Sequence, residues 1–138
     1  MPTMEVVEVR MFPDYADTVL WCPHPVDYAD SGLEPDLIEQ LRAWEASYYA
    51  GLDHDHGWRD PEDQRAFAAE GRRLARLVAG ALGDDFQVRI DDEVIRSRHP
   101  GRSPEAATAF RIIAEAEQAE RNRIRRLESG GAGLEWRA

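Results

Sequence analysis

The stretch from Asp60 to Ile90 constrains the fold most, because within it the apolar period drops from about 3.6 residues to 2. Asp60 is a good N-cap, Pro61 suits a first helical position, and Glu62 and Asp63 set negative charge at the positive end of the helix dipole. Phe67, Leu74, Leu77, Val78, Ala81 and Leu82 then recur on one stripe, and Gly83 stops the helix. Gly71, close to that stripe, would let another backbone approach. Three residues past Gly83, Phe86-Gln-Val-Arg-Ile90 alternates, with Phe86, Val88 and Ile90 inward. A helix with one apolar stripe followed by a strand with one apolar face requires a layered solution, helix on sheet.

The flanking segments supply the rest of the two layers. Val7, Val9 and Met11 share one face of a strand ended by Phe12-Pro13, and Thr18 to Cys22 forms a short second strand. Pro23 and Pro25 bar a central strand after it, so Asp27 to Gly32 reads as an irregular acidic loop. Pro35 opens a helix to about residue 50 along Leu37, Ile38, Leu41, Trp44 and Tyr48. Asp91-Asp92 turns the Phe86 strand into a hairpin with residues 94–98. Ser103 and Pro104 start a long helix through about Glu128, with Ala106, Phe110, Ile113, Ile124 and Leu127 able to share a face. The expected fold is α+β: a small mixed or antiparallel sheet of three to four strands, with two or three helices on one face. Residues 1–128 form the single domain, and the glycine-rich 129–138 a flexible tail.

Charge narrows the function. Residues 1–63 hold 15 acids and three arginines, a net of −12, while residues 64–138 carry a net of +2. Phosphate backbones repel such a chain, so nucleic acid is not an expected partner. No run reaches the roughly 18 apolar residues of a membrane span, and MPTMEVVEVRMF, with its acids and strand-like alternation, does not read as a signal peptide, so no membrane role is expected. A single Cys22 fits a reducing cytoplasm.

Three clusters are candidates for chemistry. Asp53-His-Asp-His56 could offer His54 and His56 to a metal, but no second ligand pair is clustered elsewhere. Its position between two helices makes it a polar connector first, with a metal-binding enzyme or sensor as the alternative; no cofactor is expected. Cys22 and His24 are flanked by proline and acid, which disfavours a reactive thiolate. Arg121-Asn-Arg-Ile-Arg-Arg126 suits a helix C-terminal half, and could be attracted by the acidic half of this chain or of a second copy. No glycine-rich phosphate loop and no nucleophile elbow is present.

What remains is an acidic half studded with aromatics, a composition that grips proteins. The expected function is a non-catalytic protein-binding module, of the inhibitor or immunity type. It would hold a basic partner through Asp14, Tyr15, Asp17, Asp27, Tyr28 and Asp30 around Trp21. A homo-oligomeric accessory protein joined through the last helix is a further alternative.

Arg10-x-Phe12-Pro-Asp-Tyr15, Leu20-Trp21, Leu41-Arg-Ala-Trp44, Glu70-Gly-Arg-Arg-Leu-Ala75 and Leu82-Gly83 before a strand form a pattern. It resembles a set of small uncharacterised α+β proteins common in high-GC Gram-positive bacteria, over roughly residues 5–90. The resemblance implies the fold and the compartment and brings no activity with it.

Overall fold

The computed structural model describes residues 5–137, with side chains through Ser129. The strands are β1 (Val7–Met11), β2 (Leu20–Trp21), β3 (Phe86–Ile90) and β4 (Glu93–Ile95). The helices are α1 (Pro35–Gly51), α2 (Pro61–Leu82) and α3 (Pro104–Arg137), with a short 3-10 turn at Tyr28–Asp30. The sheet order is β2-β1-β3-β4; β1 and β3 run parallel, and both outer pairs are antiparallel. A parallel pair cannot be closed by a tight turn, and the α1–α2 helical hairpin supplies the crossover. The α+β expectation therefore holds, with a mixed sheet.

Register aligns Val7 with Phe86 and Val9 with Val88, so period-2 alternation points one apolar face at the helices. Val9, Met11, Phe86, Val88 and Ile90 are buried there against Leu74, Ala75, Val78 and Leu82 of α2 and Leu37, Leu41 and Trp44 of α1. The α2 termini follow the sequence. Asp60 accepts a hydrogen bond from the Glu62 N–H at 2.9 Å, and the Gly83 N–H donates to Ala79 O at 2.9 Å. Gly83 sits at φ +98°, and a Cβ there would strike the backbone of Gly101, where the chain turns into α3.

Several details depart from expectation. Gly71 faces side chains, not backbone: a Cβ there would lie 2.6 Å from Trp44 Cζ2 and 2.8 Å from Ile90 Cδ1. Leu77 is 39% exposed, because the stripe that meets the sheet runs through Leu74, Ala75, Val78 and Leu82. The β3–β4 hairpin closes without glycine because Asp91 takes φ 50°, a conformation its short side chain tolerates. The α3 backbone stays helical to Arg137, past the expected end near Glu128. Glycine weakens a helix by about 1 kcal/mol per residue but does not forbid it. The side chains of the expected tail from Gly130 on, Trp136 included, lie outside the described residues.

α3 is tied in at its start. The Ser103 hydroxyl donates to Gly32 O at 3.3 Å and accepts from the Ala106 N–H at 3.3 Å, while Ala106 and Phe110 are fully buried. The opposite face of the sheet carries Glu8, Arg10, Gln87, Arg89 and Trp21. Burial raises the Glu8 carboxyl, but bonds from Gln87 and Arg89, each 2.9 Å, together with the Arg89 charge, outweigh it and leave it lowered.

Candidate protein-binding surface

The β1–β2 loop is fixed at its base and strained at its tip. Thr18 Oγ1 donates to Val26 O at 2.7 Å and accepts from the Leu20 N–H at 3.1 Å, so the returning chain is pinned in the core. At the tip Tyr15 and Asp17 take φ of 55° and 59°. The left-handed region is an outlier for a bulky residue such as tyrosine and needs surrounding structure to hold it. Tyr49, near the end of α1, provides that support: its hydroxyl accepts the Tyr15 N–H at 2.7 Å, and the two rings tilt together at 4.7 Å.

The support continues inward. Tyr49 meets Tyr48 edge-on at 5.3 Å, Tyr48 meets Phe67 at 5.4 Å, and Phe67 stacks on Trp44 at 4.5 Å. Trp44 is anchored in turn by donating its indole N–H to Phe67 O at 2.9 Å. A chain of rings thus runs from the core to Tyr15, which is 68% exposed. Rigid aromatic area presented at low entropic cost is what a partner protein can use.

Acid surrounds this ring. Tyr15, Asp17, Arg42, Glu45 and Tyr49 line an open hollow of about 330 Å³, and Asp14 is exposed beside it. Burial and then the nearby Asp17 charge raise the Glu45 carboxyl, with Arg42 opposing. Burial likewise raises the Tyr49 phenol. Sequence reasoning placed Tyr48 on the buried stripe and Tyr49 off it, but left Glu45 and Tyr49 out of the binding set; the available signal was Glu45 one turn before Tyr49 at the end of an amphipathic helix.

The Asp53–His56 loop adjoins the same surface. The Asp53 carboxylate accepts from the Asp55 and Gly57 N–H groups at 2.9 and 3.0 Å, a turn-forming use of its side chain. His56, at φ 63°, brings Nδ1 to 3.4 Å from the Tyr15 hydroxyl. His54 is solvent-facing and lies 3.4 Å from the Asp55 carboxylate. Among the described residues no three His, Cys, Asp or Glu side chains gather as a metal would require.

The seven residues expected to bind together are divided among separate places. Asp14, Tyr15 and Asp17 form the surface just described. Trp21 lies on the other face of the sheet, stacked on Phe12 at 4.6 Å and donating its N–H to Phe12 O at 2.9 Å. Tyr28 is 5% exposed, so it is no surface anchor: its hydroxyl accepts the Val19 N–H at 3.2 Å and its ring lies 5.1 Å beneath the Arg42 guanidinium. Asp27 and Asp30 rim a second groove against α3. Cys22 is buried, and burial followed by the Glu117 charge pushes its thiol up to about 11, far from a nucleophile's range.

The most developed feature of this arrangement is an exposed ring in an acidic frame. The profile of the family described as Serratia CdiI immunity protein-like matches residues 7–93. The chain belongs to that family. No curated protein and no solved structure matches it. The matched span holds β1 to β3, α1, α2 and the start of β4, including all of the Tyr15 surface; α3 lies beyond it. Membership makes this an immunity-type, protein-binding chain. No described helix is long and apolar enough to cross a membrane.

Proposed function

We propose that this chain neutralises a basic toxin protein in the cytoplasm by gripping it through Asp14, Tyr15, Asp17, Glu45 and Tyr49. The observation that carries the reading is Tyr15. It is an exposed ring held in an unfavourable backbone conformation by a column of aromatics, within the span that the immunity family defines. A ring kept in that conformation while 68% exposed contributes little to the core, so its placement is accounted for by contact with something else. The net −12 of the first 63 residues would steer a basic partner toward it.

The test is growth rescue. The protein that copurifies with the chain is expressed alone and then together with it. The reading requires arrest in the first case and relief in the second, with relief lost in Tyr15→Ala/Asp17→Asn. Full relief by that folded double variant would remove this surface from the account.

A further inference from the structure

Arg42, Glu45, Ala46 and Tyr49 recur at three- and four-residue spacing, so they share one row of α1, beside the buried Leu41 and Trp44. That row meets the β1–β2 loop. Ala46 is too short to fill the space between the row and Tyr15 and Asp17, which leaves the hollow of about 330 Å³. The hollow is preformed. Tyr15 and Asp17 are set by left-handed φ values of 55° and 59°, and the Tyr49 hydroxyl accepts the Tyr15 N–H at 2.7 Å. We infer that it receives one arginine side chain of the basic partner, with the guanidinium paired to the Asp17 and Glu45 carboxylates and laid against the Tyr15 and Tyr49 rings. The inference rests on this face being the partner-binding surface, and it names the group that enters it.

Charge calls for a cation there. Among the described residues neither the Asp17 nor the Glu45 carboxylate has an ion-pair partner. Arg42, the cation in the wall, is engaged elsewhere: it lies 3.9 Å from Glu39, and its guanidinium sits 5.1 Å over the Tyr28 ring. Two carboxylates against one guanidinium leave the hollow net negative. The field at Glu45 has the same sign, because the Asp17 charge raises that carboxyl by more than the Arg42 charge lowers it. A second cation relieves the repulsion between Asp17 and Glu45. Glu45 is half-buried, so the pairing is screened less than one between fully exposed groups.

The rings select which cation. An ammonium is compact and strongly hydrated, and it gives up much of that hydration to touch a ring. A guanidinium is flat and weakly hydrated; it donates N–H groups in its own plane while its faces stack on aromatics. Carboxylates and phenol rings lining one hollow serve both parts of a guanidinium at once.

The test needs no partner. The isotope-labelled full chain is titrated with N-acetyl-arginine methylamide over a millimolar range at neutral pH and low salt, and its amide signals are followed by NMR. We expect saturable shifts at Tyr15, Asp17, Glu45 and Tyr49, with the lysine counterpart bound about threefold more weakly and the uncharged glutamine counterpart not bound. Asp17→Asn and Glu45→Gln should each weaken arginine binding about tenfold. Both variants keep the fold, since asparagine tolerates the left-handed φ of 59° as aspartate does and glutamine matches glutamate in shape. Asp36→Asn, the same charge change at the start of α1, should leave binding unaltered. Arginine and glutamine probes that act alike, or binding indifferent to Asp17→Asn and Glu45→Gln, would overturn the inference. A surface that still needs Tyr15 and Asp17 for growth rescue but takes up no arginine probe would overturn the pocket and keep the proposed function. Arginine uptake lost in Asp17→Asn and Glu45→Gln, with growth rescue intact in both, would support the pocket and remove it from the toxin account.

Discussion

Replacing Tyr15 with glycine should leave stability almost unchanged while removing the function, and replacing it with alanine should damage both. The left-handed conformation at φ 55° costs a residue with a Cβ roughly 1–2 kcal/mol, which glycine does not incur. Both variants lose the ring contact with Tyr49, about 0.5–1.5 kcal/mol for such a pair, and both keep the backbone N–H that Tyr49 accepts. Loss and relief nearly cancel for Tyr15→Gly, whereas Tyr15→Ala bears the loss alone. For 138 residues the unfolding entropy is about 290 cal/mol/K, so each 1 kcal/mol is worth about 3 °C in Tm. Scanning calorimetry should place the glycine variant near the parent and the alanine variant about 3 °C below it. Titration against the copurifying partner should show both weakened about 30-fold, the effect of removing a 2 kcal/mol aromatic anchor. Equal Tm values for the two variants would refute the strain; undiminished binding by the glycine variant would refute the contact.

Other outcomes follow from the same geometry. Gly71→Ala places a methyl group 2.6 Å from a Trp44 ring that Phe67 holds from two sides. Overpacking should therefore exceed the gain of about 1 kcal/mol in helix propensity, and Tm should fall. Glu45→Gln should raise Tm at neutral pH yet weaken partner binding. The folded Glu45 carboxyl holds its proton more tightly than the unfolded one, so its favourable contribution is complete below the ordinary value of 4.5 and is lost as pH rises through the raised one; thermal melts across pH should show the gain vanish on acidification. Cys22, with its thiol at about 11, is about one-thousandth ionised at pH 8, so a thiol reagent should modify it only when the chain unfolds. Fast labelling of the folded protein would contradict the burial of that residue.

The sheet and the helices were legible because their signals are local and periodic. Asp60, Pro61 and Gly83 bound α2 where the sequence sets them, and Phe86, Val88 and Ile90 are buried as their alternation requires. The parallel pairing of β1 with β3 was not legible, since nothing in either strand records a partner some 80 residues away. The binding surface was half legible. Asp14, Tyr15 and Asp17 could be picked out as polar and aromatic residues in a loop, but whether Tyr28 faces water depends on Thr18, Val19 and Arg42 closing over it. Tyr49 could be read as lying off the buried stripe, but neither it nor Glu45 could be joined to Tyr15, because an amphipathic pattern says which side of α1 is buried, not which loop returns to cover its end. The α3 helix passed its expected stop because extending an already formed helix carries no nucleation cost, and glycine weakens such an extension without forbidding it.

The central claim, that acid around Tyr15 grips a basic partner, is tested most directly by association kinetics. The rate constant for the copurifying partner should be measured against ionic strength for the parent and for Asp14→Asn/Asp17→Asn. The parent should associate fast at low salt and slow steeply as salt rises, and the variant should start about tenfold slower with a flatter dependence. Superimposable curves would mean that the partner is met by another face of the molecule.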